Sequence, residues 1–403
     1  MHQIGSADEL SLALLDARNH SLRWLQWFEA AGGEAIVQRL AGRRAPLWYF
    51  GHLGWFGEYW IGRNIRRHLG AACPVDAPRL ASIEPNADLR WHPALLDAGT
   101  GPADADLPRG SDLRAWLLAT QDSTLELLER ADDDGLYMHR LVLYLEDRRQ
   151  ALWAALAQAL DVPAPLSPPA ARASRPALLF PDTPWVLGAG ATERFVPDIE
   201  LGRLELRVPA FEIDAQPVTW AQYVEFVDDG GYDRPELWAA AGWDWLTRLA
   251  AAEGRRGPRH VELISAATGM VSQRWFGQPR RMAAGQPVTH VSWWEADAWC
   301  RWAGRRLPTE VEWELAAVQG AGRGFVWGDV VEWTLTPLRP WPGHRPLAWS
   351  HDDPGGQAGF GGAMVCRGAS LATAARLRRT GARGFAWPDD DRDFVGFRSC
   401  AFG

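Results

Sequence analysis

Lysine is absent from this 403-residue chain, so its 42 basic side chains are all arginine. That excludes lysine Schiff-base and pyridoxal-phosphate chemistry, and the GxxxxGK[ST] phosphate loop. A genome that prefers arginine codons accounts for the bias. Cysteine is scarce: Cys73, Cys300, Cys366 and Cys400 are scattered with no CxxC pair. They read as reduced thiols of a cytoplasmic protein, serving packing rather than chemistry. No apolar stretch approaches the ~20 residues of a membrane span. The opening MHQIGSADEL lacks the charged start and apolar middle of a signal peptide. There is no basic run and the net charge is −8, which argues against nucleic acid or an anionic membrane as partner.

With 47% hydrophobic and 23% charged residues, the chain has the composition of a globular protein rather than a disordered one. At ~100–200 residues per domain, the length suggests two or three domains. Tryptophan is abundant, 24 against 14 Phe and 6 Tyr, which points to cores and pockets walled with indole.

The first half reads as helical. Ser6 and Asp8 cap a segment whose Leu12, Leu15, Leu22, Leu25 and Phe28 recur at helical spacing. Further helices are expected over Pro46–Leu69, Ser111–Arg130 and Leu136–Leu160, with a long irregular stretch over Gly70–Gly110. Four helices with one long crossover suggest an antiparallel bundle. Asp132–Asp134 form a short acidic run at a helix junction, read as a solvated loop. The Pro/Ala-rich residues 163–176 read as a linker. Domains are therefore expected at 1–162 and 177–403. The second half has short apolar runs (PWVLG, LELRVPAFEI, MVCRGAS, VGFRSC) between Gly/Pro/Asp turns. It adds a helix at Trp293–Trp302 and another near Thr309–Val318, where Thr309 and Glu312 make a capping box. The expected class is multidomain α and α+β.

The segment Pro287–Ala317, PVTHVSWWEADAWCRWAGRRLPTEVEWELAA, resembles the signature of the formylglycine-generating-enzyme-like domain, a variant of the C-type lectin fold. FVPDIE, FEIDAQPVTWAQYVEFV, GGYDRPELW, WGDVVEWT, CRGASLAT and VGFRSC follow in that family's order. PLWYFGHLGWFGEYWIGRN, PRLASIEPNAD and LYMHRLVLYLED resemble the DinB-like helical bundle of the ergothioneine-biosynthesis sulfoxide synthases and selenoneine synthase. LASI-x-P-x-AD and the short WGDVVEWT linkage favour the selenoneine-synthase-like branch. The resemblance implies a mononuclear non-haem Fe(II) held by three histidines. It also implies O₂-dependent C–S or C–Se bond formation at the imidazole C2 of hercynine, with a thiol or selenosugar as the second substrate.

The first ligand of that family matches His52. The other two belong to a His-Glu-x-x-His pattern, whose four-residue spacing puts two imidazoles on one helix face. Here those positions are Leu145 and Arg149. Leucine has no lone pair, and a guanidinium only donates and repels a cation. One imidazole is too few donors for Fe(II). Glu58 and Glu146 are the carboxylates that remain as substitutes, while His139 lies two turns from Glu146, ~10 Å away. A second reading of His52 is a packed core histidine among Trp48, Trp55 and Trp60.

Three further departures accompany this one. No tyrosine follows Tyr232, whereas sulfoxide-synthase relatives present a C-terminal-domain tyrosine as proton donor. The Arg-Asn-aromatic run of the relatives appears as Arg383-Gly384-Phe385, and their VTN run as Val218-Thr219-Trp220. As substrate contacts, Arg367, Arg376, Arg383 and Arg392 suit a carboxylate, and Asp389, Asp390 and Asp391 a cationic amine. Trp333, Trp341 and Trp387 suit a trimethylammonium group by cation–π attraction. The competing reading makes these solvated charges and structural indoles. Trp293, Trp299, Trp302, Trp313 and Glu310 read as core. Cys366 and Cys400 are the candidates for a copper(I) pair of the formylglycine-generating type, but lack its five-residue spacing. Two functions follow: a carbon–chalcogen synthase, or a metal-free binding or accessory protein that recognises a betaine, a sugar conjugate or a protein.

Overall fold

The computed structural model describes residues 6–97, 102–131, 136–189, 195–265, 268–352 and 359–402. Asp132–Asp134 lie outside them. The chain divides into two compact units. The first holds the described residues up to Ala164, together with Phe195–Asp198 and His344–Asp352; the second holds the rest. Residues 165–176, read from composition as a separate linker, belong to the second unit. No helix among the described residues is long and apolar enough to cross a membrane.

The first unit is helical. Helix α1 (Ala7–Ala30) starts at Ser6, which forms a capping box with Glu9. Helix α2 (Pro46–Gly57) has Pro46 in its first turn and is buried along its whole length. It runs on into one π-helical turn, Glu58–Gly62, and stops there rather than reaching Leu69. Two short helices, α3 (Ala87–Trp91) and α4 (Pro93–Asp97), punctuate the stretch read as irregular. Helices α5 (Ser111–Leu128) and α6 (Leu136–Ala159) complete the unit; α6 packs on α1, and α5 on α2.

Glycines seat tryptophans directly on α2. A Cβ at Gly51 would lie 2.2 Å from the Trp91 ring, and one at Gly54 would lie 2.4 Å from Nε1 of Trp116. Trp116 Nε1 also donates to the Gly51 carbonyl at 3.1 Å. The helix beside His52 is thus fixed by two indoles.

The second unit mixes sheets and helices. Strands β1 (Leu178–Phe180) and β4 (Phe211–Ile213) pair antiparallel, as do β2 (Thr183–Leu187) and β3 (Leu204–Val208). Helices α7 (Trp220–Asp228) and α8 (Ala240–Glu253) precede the three-stranded sheet β5 (Val261–Ser265), β6 (Met270–Trp275) and β7 (Gln278–Met282). Helices α9 (Trp293–Trp302) and α10 (Glu310–Gln319) start at Ser292 and Thr309, each with a complete capping box. A four-stranded sheet follows in the order β10 (Arg383–Ala386), β9 (Met364–Gly368), β8 (Val331–Pro337), β11 (Val395–Phe397); only β11–β8 is parallel. Trp313 of α10 fills one core with Phe180, Phe211, Ile213 and Phe325.

Candidate functional site

His52 lies in the middle of α2 and is fully buried. Helical spacing sets Trp48, Trp55 and Phe56 around it, with ring centroids 4.8, 5.4 and 5.8 Å away. Its Nε2 is 2.8 Å from the backbone carbonyl of Asp352. A carbonyl only accepts, so Nε2 carries the proton and Nδ1 the lone pair. Among the described residues, the buried Nδ1 has no hydrogen-bond partner. Burial, then the positive charge of Arg149, holds the ring well below its ordinary pKa, so the imidazole is neutral.

Leu145 and Arg149, the two positions that the resemblance sets beside His52 as ligand positions, are both buried on α6. Leu145 presents hydrocarbon. The Arg149 guanidinium lies over the Tyr49 ring, 5.0 Å from its centroid. Neither candidate carboxylate substitutes for them. Glu146 takes Nε and Nη2 of Arg18 at 2.7 and 3.2 Å. Glu58 accepts from Ser82 Oγ and from the Ile83 N–H, both at 2.7 Å. The sequence offered both as possible donors near His52; the structure commits both elsewhere. His139 Nε2 lies 3.2 Å from the Thr124 carbonyl. Among the described residues no group of three or more His, Cys, Asp or Glu converges to hold a metal. A ferrous ion here would meet one imidazole, a hydrocarbon and a cation. The residues present do not fit the iron that the resemblance implies.

What His52 does contact comes from far along the chain. The Asp352 carboxyl is pushed up to about 7 by burial, with Arg79 pulling the other way. Just before it, Ser350 Oγ donates to Asp198 Oδ2 at 2.6 Å. Trp349 Nε1 lies 3.3 Å from the Tyr137 hydroxyl, and its ring stacks on Phe195. No local pattern could have revealed this, because 300 positions separate His52 from Asp352.

In the second unit, Trp333 is fully buried and donates to the Val291 carbonyl at 2.8 Å. Arg367, also buried, lies 2.8 Å from Glu314 and 3.6 Å from Glu310. Arg383 grips Glu310 with Nε and Nη2 at 3.0 and 3.1 Å, and stacks on buried Trp341. Both guanidinium forks are therefore committed to internal carboxylates. Trp387 is 52% exposed. Asp390 and Arg392 pair with each other at 2.9 Å. Asp391 is buried between Arg255 and Arg259, each at 2.6 Å, while Asp389 is exposed and Arg376 half-buried. Trp293, Trp299, Trp313 and Glu310 are interior, and Trp302 is half-buried against Asp229. Cys366 and Cys400 are free, buried thiols whose pKa values burial pushes upward.

The second unit belongs to a recognised class: the profile described as "Sulfatase-modifying factor enzyme 1-like domain" matches residues 180–331. Over the whole length the likeness is narrower. The chain is 30% identical to the hercynine oxygenase of Mycolicibacterium thermoresistibile, covering 97% of this chain and 94% of that one. It is 29% identical to the hercynine oxygenase of Mycolicibacterium smegmatis, with 97% of each covered. To the formylglycine-generating enzyme of Streptomyces coelicolor it is 32% identical, over 44% of this chain and 57% of that one. The chain belongs to the hercynine oxygenase family and carries a sulfatase-modifying-factor-like domain.

Proposed function

We propose that this chain binds an imidazole betaine of the hercynine type without performing iron-dependent oxygen chemistry. The observation that carries this reading is the pair Leu145 and Arg149 on the helix facing His52, with Glu58 and Glu146 already spent. The full-length kinship with proteins named hercynine oxygenase supplies the ligand class. Of the six substrate candidates, Trp387, Asp390 and Arg392 are the contacts we assign, and the Asp390–Arg392 pair must part for its two charges to meet the ligand. The indole suits a quaternary nitrogen, the carboxylate a cation and the guanidinium a carboxylate. Trp333, Arg367 and Arg383 are buried parts of the framework. The rival reading, an Fe(II) synthase that joins a thiol or selenosugar to the imidazole C2, needs at least two more donors beside His52.

Calorimetry of the metal-free protein with hercynine, paired with elemental analysis after anaerobic Fe(II) loading, tests the proposal. Saturable hercynine binding with no retained iron is expected. One iron per chain, or a C2-substituted product formed aerobically with a thiol, would overturn it. Leu145→His with Arg149→His should then raise iron uptake from background toward one ion per chain.

A further inference from the structure

Strand β10 ends at Ala386, which pairs with Met364 of β9, and the chain then turns through Trp387-Pro388-Asp389-Asp390. Three hydrogen bonds hold that turn. The Asp390 N–H donates to the Trp387 carbonyl at 2.9 Å, and the Trp293 N–H, at the start of α9, donates to the Pro388 carbonyl at 3.0 Å. The Arg392 N–H donates to Asp390 Oδ1 at 3.1 Å. The backbone that carries Trp387 is therefore fixed, and only its indole is left to be placed.

Two glycines place it. The partner strand β9 is entered through Gly359-Phe360-Gly361-Gly362, a turn in which the Ala363 N–H donates to the Gly359 carbonyl at 2.9 Å. Gly361 sits there at φ 89°, a left-handed conformation that suits glycine. Gly362 is not left-handed, so the turn itself would accept alanine at that position. Space forbids it: a Cβ at Gly362 would lie 2.3 Å from Cζ3 of Trp387 and 3.0 Å from Cη2. A Cβ at Gly359 would lie 3.4 Å from Cζ2 of the same ring. The six-membered ring thus abuts bare backbone, yet Trp387 as a whole is 52% exposed. A surface indole ordinarily samples several rotamers; this one has a seat shaped to it.

We propose that Trp387, held in position by Gly362, selects a quaternary ammonium over a primary one. The inference rests on the betaine reading above and adds to it the basis of selection. Hercynine and histidine share an imidazole and a carboxylate and differ only in three N-methyl groups. A primary ammonium is compact and strongly hydrated, with three N–H donors that an aromatic ring cannot satisfy. A trimethylated nitrogen has no N–H to satisfy and is attracted to an aromatic ring. Charge draws either cation to this spot: residues 387–393 hold four aspartates against one arginine, and Asp389 is exposed. Asp391 is held inside by Arg255 and Arg259. Carboxylates alone favour the primary amine; the indole reverses that order. A ring that is already fixed loses little rotamer freedom when the cation arrives, and Gly362 is the positioning residue that fixes it.

Calorimetry with hercynine and with histidine reads the selectivity, and thermal melts show that each variant is folded. The wild type should bind hercynine at least ~tenfold more tightly than histidine. Trp387→Ala should weaken hercynine binding about 3- to 30-fold and leave histidine binding within about twofold, so that the margin collapses. Trp387→Phe should keep part of it. Gly362→Ala should act like Trp387→Ala, because its methyl pushes aside a half-exposed ring rather than the turn. With Trp387→Ala already present, Gly362→Ala should add no further loss, a dependence that general damage to the fold would not produce. A wild type that binds hercynine with no margin over histidine, a margin that survives Trp387→Ala, or a Gly362→Ala loss that persists in the double variant would overturn this inference alone. A wild type that binds no hercynine would overturn the functional reading and this inference together.

Discussion

In the sheet-bearing unit, Arg398 and Glu332 are both fully buried and meet through two hydrogen bonds, the Nη2 contact at 2.7 Å. The glutamates of the RLPTEVEWE stretch behave alike: Glu310 holds Arg383, Glu312 holds Arg306 at 2.6 Å, and Glu314 holds Arg367. Tyr223, Tyr232 and Glu295 form a buried chain of hydrogen bonds at 2.8 and 2.7 Å. In the helical unit the surroundings of His52 are of another kind. One ring N–H donates to a backbone carbonyl, the other nitrogen has no hydrogen-bond partner among the described residues, and the charge acting on the ring is the Arg149 cation. The most recognisable residues of the sequence are thus framework. A family likeness that rests on them reports the scaffold, while the reactive centre can differ beneath it.

Four perturbations break or sharpen this contrast. The largest effect is expected of Glu332→Ala, which leaves the Arg398 guanidinium buried with only the Asp214 and Val326 carbonyls. Orphaning a buried charge costs about 3–5 kcal/mol, readable as a lower urea midpoint. Acid comes next. Burial pushes His260 down to about 2, with His290 and nearby arginines adding to the shift, and pushes His290 down to about 4 against the opposing pull of Asp391. Both are neutral in the folded protein and protonate more readily when it unfolds. Stability should therefore hold above pH 6.5 and fall as the pH drops toward 4. For His290 alone, about 1.36 kcal/mol per pKa unit makes the loss a few kcal/mol. A flat profile in denaturant titrations across that range would contradict this account. Gly51→Ala should cost ~1–3 kcal/mol by driving a methyl into Trp91, with a changed tryptophan emission. Ser292→Ala should cost only about 1 kcal/mol, the worth of one helix cap, measured by thermal melts.

Much of the fold was legible because local rules sufficed. The cap at Ser6, the capping box at Thr309 and the apolar spacing along α1 mark real helices, and α5, α6 and α10 end within two residues of the bounds expected. Helix α8 had no such mark, since its N-cap is Ala239 with no side-chain hydrogen bond. The expected helix over Pro46–Leu69 was too long. Nothing in the apolar pattern announces that Asn64 bridges to Arg79 and turns the chain away. At the site, the resemblance pointed to His52, Leu145 and Arg149, and what those residue types can donate is readable from the sequence because it is a property of the side chain itself. The internal carboxylates that occupy Arg367 and Arg383 were not legible: a guanidinium looks the same in sequence whether it meets a substrate or Glu310.

The helical unit is assembled from three separate pieces of chain, and its last piece, His344–Asp352, supplies the carbonyl that His52 holds. A ribosome that has released residue 164 has therefore not yet made everything this unit needs. At ~5–20 residues per second, roughly ten to forty seconds pass before Asp352 follows. During that interval the nascent helices carry an uncapped imidazole. Cutting the gene at the apparent domain boundary would make that unfinished state permanent.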